Sequence, residues 1–299
     1  MSDSLTRENL RQILVTEQLP AMPQSALSVL KLENDLAKVN INDLVRPIET
    51  DPGLAAQVLK FLNSSAFGFS SSISNIRQGI ALVGIRIVKN FVLWKAVFSL
   101  IPKSKSGTFD VAVLWQDSLR RAMFARYLSQ ELKCGDAEMA FAGALLQDMS
   151  IPLLLKLKPA EYCPVLDALA KSDGERLSHL EQKTFGWDHA DVGYVLGQQW
   201  KLPELLTHLI SSHLEIESIV SNFKQQPETA VVCLSSLLPT VTKDTWDEQD
   251  TFRQYFSEIF PNNGRLVSLL FDKVDKEFES AAALLSLQTP KQSLFGYLD

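Results

Sequence analysis

Apolar residues recur along this chain at intervals of three and four positions, the spacing that places side chains on one face of an α-helix. In the segment after Asp51 the apolar stripe consists of Leu54, Val58 and Leu62, and Pro52 follows the aspartate directly. Aspartate is favoured immediately before a helix, and proline fits the first helical position. The segment is therefore predicted to be a buried helix that begins at Pro52.

The same pattern continues through the middle of the chain. Asp110, Asp136 and Asp188 each precede an apolar stripe and are predicted to cap a helix. The predicted helices run from Asp110 to about Leu132 and then near 137–150, 160–171, 175–186, 189–200 and 203–213. No stretch of six or more residues alternates between apolar and polar positions with turn residues on both sides, so strands have little support. The predicted fold class is all-α and multi-helical.

Loop signals and composition divide the 299 residues into three segments. Hydrophobic residues make up 46% and charged residues 21%, which is typical of a globular protein. The loop KSKSGT gives a boundary near residue 105, and a more acidic texture begins near residue 214. We predict an N-terminal helical bundle over 1–105, a helical subdomain over 106–215 and an acidic C-terminal helical extension over 216–299.

The charge is unevenly distributed. The formal net charge of -6 weighs against broad affinity for nucleic acid, so no DNA partner is expected. Residues 77–133, however, carry ten lysines and arginines against three acids. Within this segment, Arg86, Lys89, Arg120 and Arg121 are candidates for a surface that binds an anion or a partner. The alternative is an ordinary solvated helix face, or charges that complement the acidic C-terminal region of the same molecule.

The sequence predicts a cytoplasmic protein with no membrane partner. The run from Leu82 to Pro102 is apolar, but Arg86, Lys89 and Lys95 interrupt it, and each is unfavourable near the centre of a bilayer. The N-terminal residues MSDSLTRENL contain no apolar signal region.

Familiar catalytic and metal-binding motifs are absent. The chain contains no P-loop, no G-x-S-x-G and no H-E-x-x-H pattern. Cys134, Cys163 and Cys233 lie far apart, which predicts reduced, buried thiols rather than a metal site or a disulfide framework.

Three ionisable side chains are predicted to lie on buried helix faces. Asp148 shares a face with Phe141 and Leu145, because these residues are separated by four and three positions. By the same reasoning His189 and His213 point toward the core. Since an unpaired buried carboxylate is costly, we expect Asp148 to contact at least one of these imidazoles.

A succession of motifs, in order along the chain, resembles the HDOD domain. The motifs are PAMPQSALSVLKL, DPGLAAQVLKFLNSSAFG, the Ile80–Ile85 segment, AFAGALLQDM, the pattern E-x-x-x-F-G-x-D-H-A-x-V-G over Glu181–Gly193, and W-x-LP over Trp200–Pro203. The resemblance covers about residues 15–215. It implies an all-α fold related to the HD phosphohydrolases, with 106–215 as the HD-like subdomain, and a role in bacterial signalling.

The resemblance also identifies positions of a former metal site. In catalytic HD relatives an early histidine, an adjacent His-Asp pair and later His and Asp residues assemble one or two metal ions that activate water. In this chain Asp117 stands at the early histidine position and Gln147-Asp148 at the doublet. The later positions are His189 and the pair Ser212-His213. The resemblance therefore implies a degenerate HD site.

Two functions follow from these positions. The first is a non-catalytic regulatory protein without a cofactor, which acts by binding a signalling protein of unknown identity, with a nucleotide or cyclic dinucleotide as the second candidate ligand. The alternative is a metal-dependent phosphohydrolase or phosphodiesterase of the HD superfamily acting on a nucleotide or cyclic dinucleotide. In that case Asp117, Asp148, His189 and His213 would be the metal ligands. Gln147 is a poor replacement for an imidazole, and Asp117 lies off the apolar stripe of its helix.

Overall fold

The chain forms two compact units. The computed structural model describes residues 10, 21–30, 32, 40–63, 67–99, 105–106, 109–172, 174–261, 263–285, 287 and 290–298. One unit comprises Met1–Pro20, Ile101–Asp275 and Pro290–Asp299, and the other comprises Ala21–Leu100 and Lys276–Thr289. The first of these contains all the predicted positions of the HD site and is called the site unit below.

The other unit is a small helical bundle. Its helices are α1 (Gln24–Leu30), α2 (Ile41–Glu49), α3 (Pro52–Leu62), α4 (Ile76–Val83) and α5 (Ile85–Ser99). Helix α3 begins at Pro52 as predicted, because the Asp51 side chain accepts a hydrogen bond from the Leu54 backbone N–H at 3.0 Å. Val58 and Leu62 from the predicted stripe are fully buried.

From Ile101 onward the site unit has a short antiparallel hairpin, β1 (Lys105–Ser106) and β2 (Phe109–Asp110). The helices that follow are α6 (Val111–Leu132), α7 (Ala137–Leu146), α8 (Ser150–Leu157), α9 (Pro159–Lys171), α10 (Leu177–Phe185), α11 (His189–Gln199), α12 (Glu204–Ser212), α13 (Ile216–Ile219), α14 (Pro227–Ser236), α15 (Gln249–Ile259) and α16 (Gly264–Leu285). The part of α16 from Lys276 onward belongs to the other unit. Two 3-10 turns lie at Val220–Asn222 and Phe295–Tyr297. The predicted all-α class is confirmed.

The predicted helix caps are confirmed as well. Asp110, Asp136 and Asp188 each accept a hydrogen bond from the backbone N–H two residues later, at 2.9 to 3.0 Å.

The predicted end of the helix over 137–150 is wrong, because α7 ends at Leu146 and α8 begins at Ser150. The intervening turn carries Gln147 and Asp148.

The structure divides the chain differently from the three predicted segments. The division near residue 100 is close to the predicted boundary, but most of the predicted extension, residues 216–275, belongs to the site unit. The reason is a shared aromatic core: the Phe124 ring of α6 lies 5.8 Å from the ring of Phe252 and 5.9 Å from that of Phe271. Burial of such rings stabilises the contact between the two parts of the unit.

The predicted burial of the three cysteine thiols is confirmed for Cys233 only. Cys134 and Cys163 are half-buried, and all three are free thiols.

Among the described residues one segment, Ala137–Leu157, is long and apolar enough to cross a membrane, but 83% of its apolar window is buried within the protein. This burial is typical of core helices.

The close packing of α7 against α12 and α14 gives a first prediction. A Cβ added at Gly143 would lie 2.8 Å from Leu209 Cβ and 3.2 Å from Val232 Cγ2. Gly143→Ala is therefore expected to lower the free energy of unfolding by about 1 to 3 kcal/mol, because Leu209 Cβ is fixed to its backbone and cannot move aside. Urea denaturation measures the change.

Gly264→Ala is the matched control, since no heavy atom of the described residues, apart from its chain neighbours and its own helix backbone, lies within 4 Å of an added Cβ at that position. Gly264 is the first residue of α16, so the change is expected to stabilise by at most the value of about 0.5 to 1 kcal/mol that applies inside a helix. If Gly143→Ala stabilised the protein as much as Gly264→Ala, the close approach of α7 to its neighbours would be contradicted.

Candidate functional site

Three buried side chains from three elements converge at one point, called the Asp-His-His cluster below. Asp148 lies in the turn after α7, His189 is the first residue of α11, and His213 follows α12. Asp148 Oδ1 lies 3.5 Å from His189 Nε2 and 3.4 Å from His213 Nε2, and the two Nε2 atoms are 3.2 Å apart. The predicted contact between Asp148 and the imidazoles is confirmed for both histidines.

The other nitrogen of each ring fixes its orientation. His189 Nδ1 lies 2.6 Å from Glu181 Oε2, and His213 Nδ1 lies 2.8 Å from the carbonyl oxygen of Ile210. Both partners accept hydrogen bonds, so each Nδ1 carries a proton and each Nε2 faces the Asp148 carboxylate. Metal-binding histidines are oriented by the same kind of outer hydrogen bond.

Glu181 and Tyr162 form an outer layer behind His189. Glu181 is fully buried, accepts a hydrogen bond from the Tyr162 hydroxyl, and accepts a second one from the His189 backbone N–H at 3.0 Å. Burial and the negative charge of Glu181 raise the pKa of Tyr162 well above its usual value, so its hydroxyl stays a donor. Sequence reasoning missed this role of Glu181, although the residue opens the motif that ends at Gly193.

The cluster needs a positive charge or a proton, because Asp148 Oδ1 and the Nε2 atoms of His189 and His213 face one another and each can carry a lone pair. Arg121 of α6 supplies one such charge through an ion pair between its Nη1 and Asp148 Oδ2. Burial alone would raise the pKa of Asp148, but Arg121 and the two histidines hold it well below the usual range. Burial alone would lower the pKa of His189, yet Glu181 and Asp148 raise it well above its ordinary value. The positions of Glu181 and Asp148 therefore favour the charged form of His189.

The remaining predicted site residues do not join the cluster. Asp117 is buried, and it accepts hydrogen bonds from Thr240 Oγ1 at 2.5 Å and from the Val241 backbone N–H at 2.7 Å. Its expected position away from the core is wrong, because helix α6 is buried on nearly every side. Gln147 is fully buried beside the cluster, and Ser212 Oγ lies 3.4 Å from His208 Nδ1.

The four cations proposed as a binding surface have different environments. Arg86 is exposed on α5, and the Lys89 ammonium donates a hydrogen bond to the Leu32 carbonyl oxygen at 2.8 Å. Arg120 is only 1% exposed, so its predicted place on a surface is wrong. Arg121 contacts Asp148 instead of lying on an exposed helix face. The predictions for Arg120 and Arg121 are wrong for the same reason as that for Asp117, because helix α6 is buried on nearly every side.

The ion pair between Arg121 and Asp148 gives a second prediction. Asp148→Ala leaves the Arg121 guanidinium and the His189 imidazolium without their shared carboxylate, and breaking a buried pair in this way costs about 3 to 5 kcal/mol. We expect a loss of that size in the free energy of unfolding by urea denaturation. Asp247→Ala is the control, because Asp247 pairs with the half-exposed Lys243 and its loss should change stability by at most about 1 kcal/mol. Equal effects would contradict the buried pair.

The raised pKa of His189 predicts how stability depends on pH. The stabilising effect is complete below the ordinary histidine pKa of 6.5 and is lost as the pH rises through the higher pKa of the folded state. For Asp148 the sign is opposite: its effect is present above the ordinary pKa of 3.8 and is lost as the pH falls through its lower folded-state pKa. The cluster therefore stabilises the fold most between about pH 4 and 6.5.

Denaturation of the wild type at a series of pH values should show stability declining above about pH 6.5. His189→Gln should flatten this decline, whereas the control His179→Gln should keep it, because His179 is largely exposed and contacts only Glu175 among the partners described. Identical pH profiles for the wild type and His189→Gln would show that His189 is not charged in the folded state.

The cluster lies at the floor of a cleft of about 690 Å³ within the site unit. Clefts of this size are typical of ligand sites.

The chain is related in sequence to a known protein, and it shares its fold with solved structures. A Treponema pallidum protein of uncharacterised function is 26% identical over 217 residues, which are 70% of this chain and 40% of that protein. A Marinobacter aquaeolei protein assigned to signal transduction is 18% identical with a TM-score of 0.75, over 96% of this chain and 65% of the other. A Geobacter sulfurreducens HDOD domain protein of unknown function is 20% identical with a TM-score of 0.75, over 94% and 99%.

The chain thus spans less than two thirds of the length of the first two of these proteins. The family model for the HDOD domain matches residues 19–216, close to the range over which the motifs resemble it. Since this match covers more than half of the 299 residues, the chain belongs to the HDOD domain family.

Proposed function

We propose that this chain is a non-catalytic regulatory protein of bacterial signal transduction, which acts in the cytoplasm by binding another protein. The observation that supports it best is the ion pair between Arg121 and Asp148. The carboxylate that a metal ion would need is already neutralised by a side chain of the same protein. A guanidinium is always charged at physiological pH, so this neutralisation does not depend on a ligand.

Electrostatics makes Arg121 an obstacle to a metal ion. Charges of +2 and +1 about 5 Å apart repel by several kcal/mol at an effective dielectric constant of about 20. Asp117 adds no compensating ligand, since Thr240 and Val241 bind its carboxylate. Gln147 offers only a neutral amide where the resemblance expects an imidazole. These residues do not fit the two-metal centre of catalytic HD proteins.

A second candidate function is a metal-dependent phosphohydrolase. It is favoured by the Asp-His-His cluster, whose three ligand atoms all lie within 4.8 Å of one another. Two imidazoles and one carboxylate are a known ligand set for a single divalent transition-metal ion, with open positions for water or substrate. Under this alternative Arg121 would have to leave Asp148.

Cobalt(II) binding separates the two candidates, because it is read from visible absorption and from elemental analysis without any assay of activity. We expect the wild type to retain little cobalt and Arg121→Met to bind about one ion per chain, since the substitution leaves a cluster of suitable ligands without its fixed cation. Hydrolysis of a generic phosphodiester with added manganese is measured on the same samples, and the wild type is expected to show none.

Arg126→Met is the matched control, because it removes the same charge from the same helix, where Arg126 pairs with Glu138 away from the cluster. It should leave cobalt binding unchanged. Stoichiometric metal in the wild type, together with turnover that disappears in Asp148→Ala, would overturn the non-catalytic proposal in favour of the phosphohydrolase.

A further inference from the structure

The cleft above the Asp-His-His cluster runs from an exposed rim to a buried floor. Its rim includes Glu175, Thr242 and Lys243, which are exposed, whereas its floor consists of Gln147 and the cluster itself, which are buried. The lining therefore extends from solvent-exposed residues to the buried cluster.

The charged residues that line the cleft are mostly acidic. Among the described residues the lining contains six carboxylates, Asp110, Asp117, Asp148, Glu175, Asp247 and Glu248, against four cationic groups, Arg121, Arg176, Lys243 and the His189 imidazole, whose pKa is raised. An excess of carboxylates around a cleft of low dielectric attracts cations and repels anions.

Each of these four cationic groups already faces a carboxylate of the lining. Arg121 and His189 both contact Asp148, and Lys243 pairs with Asp247. Arg176 forms two hydrogen bonds with Glu248, which together raise the pKa of this guanidinium. A phosphate or phosphodiester would have to displace one of these carboxylates and then face the others, which opposes binding of a nucleotide or cyclic dinucleotide.

The floor carries an amide without a strong partner. Gln147 is fully buried, and its Nε2 has no hydrogen-bond partner among the described residues. Its Oε1 lies 3.5 Å from Ser235 Oγ, but that hydroxyl already donates to the Val232 carbonyl oxygen at 2.7 Å. Buried polar groups normally have partners, so this amide indicates a ligand that donates or accepts a hydrogen bond at the floor.

Apolar side chains form the walls between the rim and the floor. They come from four elements and include Val113, Ile151, Leu166, Leu169, Leu238 and Trp246. Such walls favour a ligand with aliphatic groups between its polar ones.

We infer that this cleft binds a basic and partly apolar segment of a partner protein. A lysine or arginine side chain would meet the carboxylates of the rim, aliphatic groups would contact the walls, and a polar group of the peptide would bond to the Gln147 amide. The inference rests on the proposed function, because it states the chemistry of the protein partner.

The test uses the full chain and a fluorescein-labelled hexapeptide of alternating leucine and lysine, with fluorescence anisotropy as the measurement. We expect the lysine peptide to bind and a leucine–glutamate peptide of the same length not to bind. Gln147→Leu should weaken binding about fivefold, and Glu248→Gln should do the same, since each removes one interaction of ordinary strength.

Urea denaturation of Gln147→Leu distinguishes a loss of peptide affinity from a loss of folded protein. Leucine has nearly the shape of glutamine, and replacing an unpartnered buried amide by an apolar group should not destabilise the fold. Gln147→Leu is therefore expected to match or exceed the wild type in urea denaturation while it loses affinity for the peptide.

Glu258→Gln is the control, because Glu258 is an exposed acid that does not line the cleft. If Glu258→Gln weakened binding as much as Glu248→Gln, the peptide would only be attracted to an acidic protein and the inference would fail. Binding of cyclic di-GMP without binding of the lysine peptide would also overturn it. Competition by cadaverine at the same concentration as the peptide would assign the cleft to a free amine and reject a protein segment.

These outcomes are independent of the cobalt experiment. A protein that binds no cobalt and no lysine peptide would keep the non-catalytic proposal and lose the inferred ligand. A protein with metal-dependent turnover would lose the non-catalytic proposal, whatever the peptide result.

Discussion

The site unit is organised around one buried negative charge, the carboxylate of Asp148. A carboxylate removed from water must be paired and hydrogen-bonded, and here the partners come from three different helices or their ends. Arg121 approaches from α6, His189 from the start of α11 and His213 from the end of α12. A shift of any of these helices along its axis would remove a partner, so the carboxylate fixes their relative positions.

A second buried carboxylate ties the C-terminal part of the chain to the same helix. Asp117 lies one turn before Arg121 on α6 and binds Thr240 and the Val241 backbone. The segment 240–248 lines the cleft, and the hydroxyl of Tyr297 in turn donates to the Lys243 carbonyl oxygen. Residues that looked like a separate acidic extension therefore form one wall of the cleft above the cluster.

The sequence was sufficient for features that depend on local rules. Helix caps such as Asp110 and Asp188 are determined by the backbone within three residues. Contact of Asp148 with at least one histidine was predictable from helical spacing and the cost of burial, and the structure shows contact with both. Features that depend on tertiary packing were missed. An apolar stripe does not reveal that α6 is covered on nearly every side, so Asp117 and Arg120 were placed outside the core. The ion pair of Arg121 spans 27 positions, and no spacing rule predicts it.

The positive charge of Arg121 affects both the Asp-His-His cluster, where it pairs with Asp148, and the charge of the cleft that the cluster lines. In a metal-dependent relative of this fold, a bound cation would make the floor of the cleft attractive to a phosphate. In this chain the Arg121 guanidinium contacts Asp148, and Arg176 and Lys243 also pair with carboxylates of the lining. His189, whose pKa is raised, lies between Asp148 and Glu181, so its charge is also matched by carboxylates. Under the proposal of a non-catalytic protein, the Arg121 guanidinium would oppose a metal ion at the cluster, and the excess of carboxylates in the cleft would fit a basic partner.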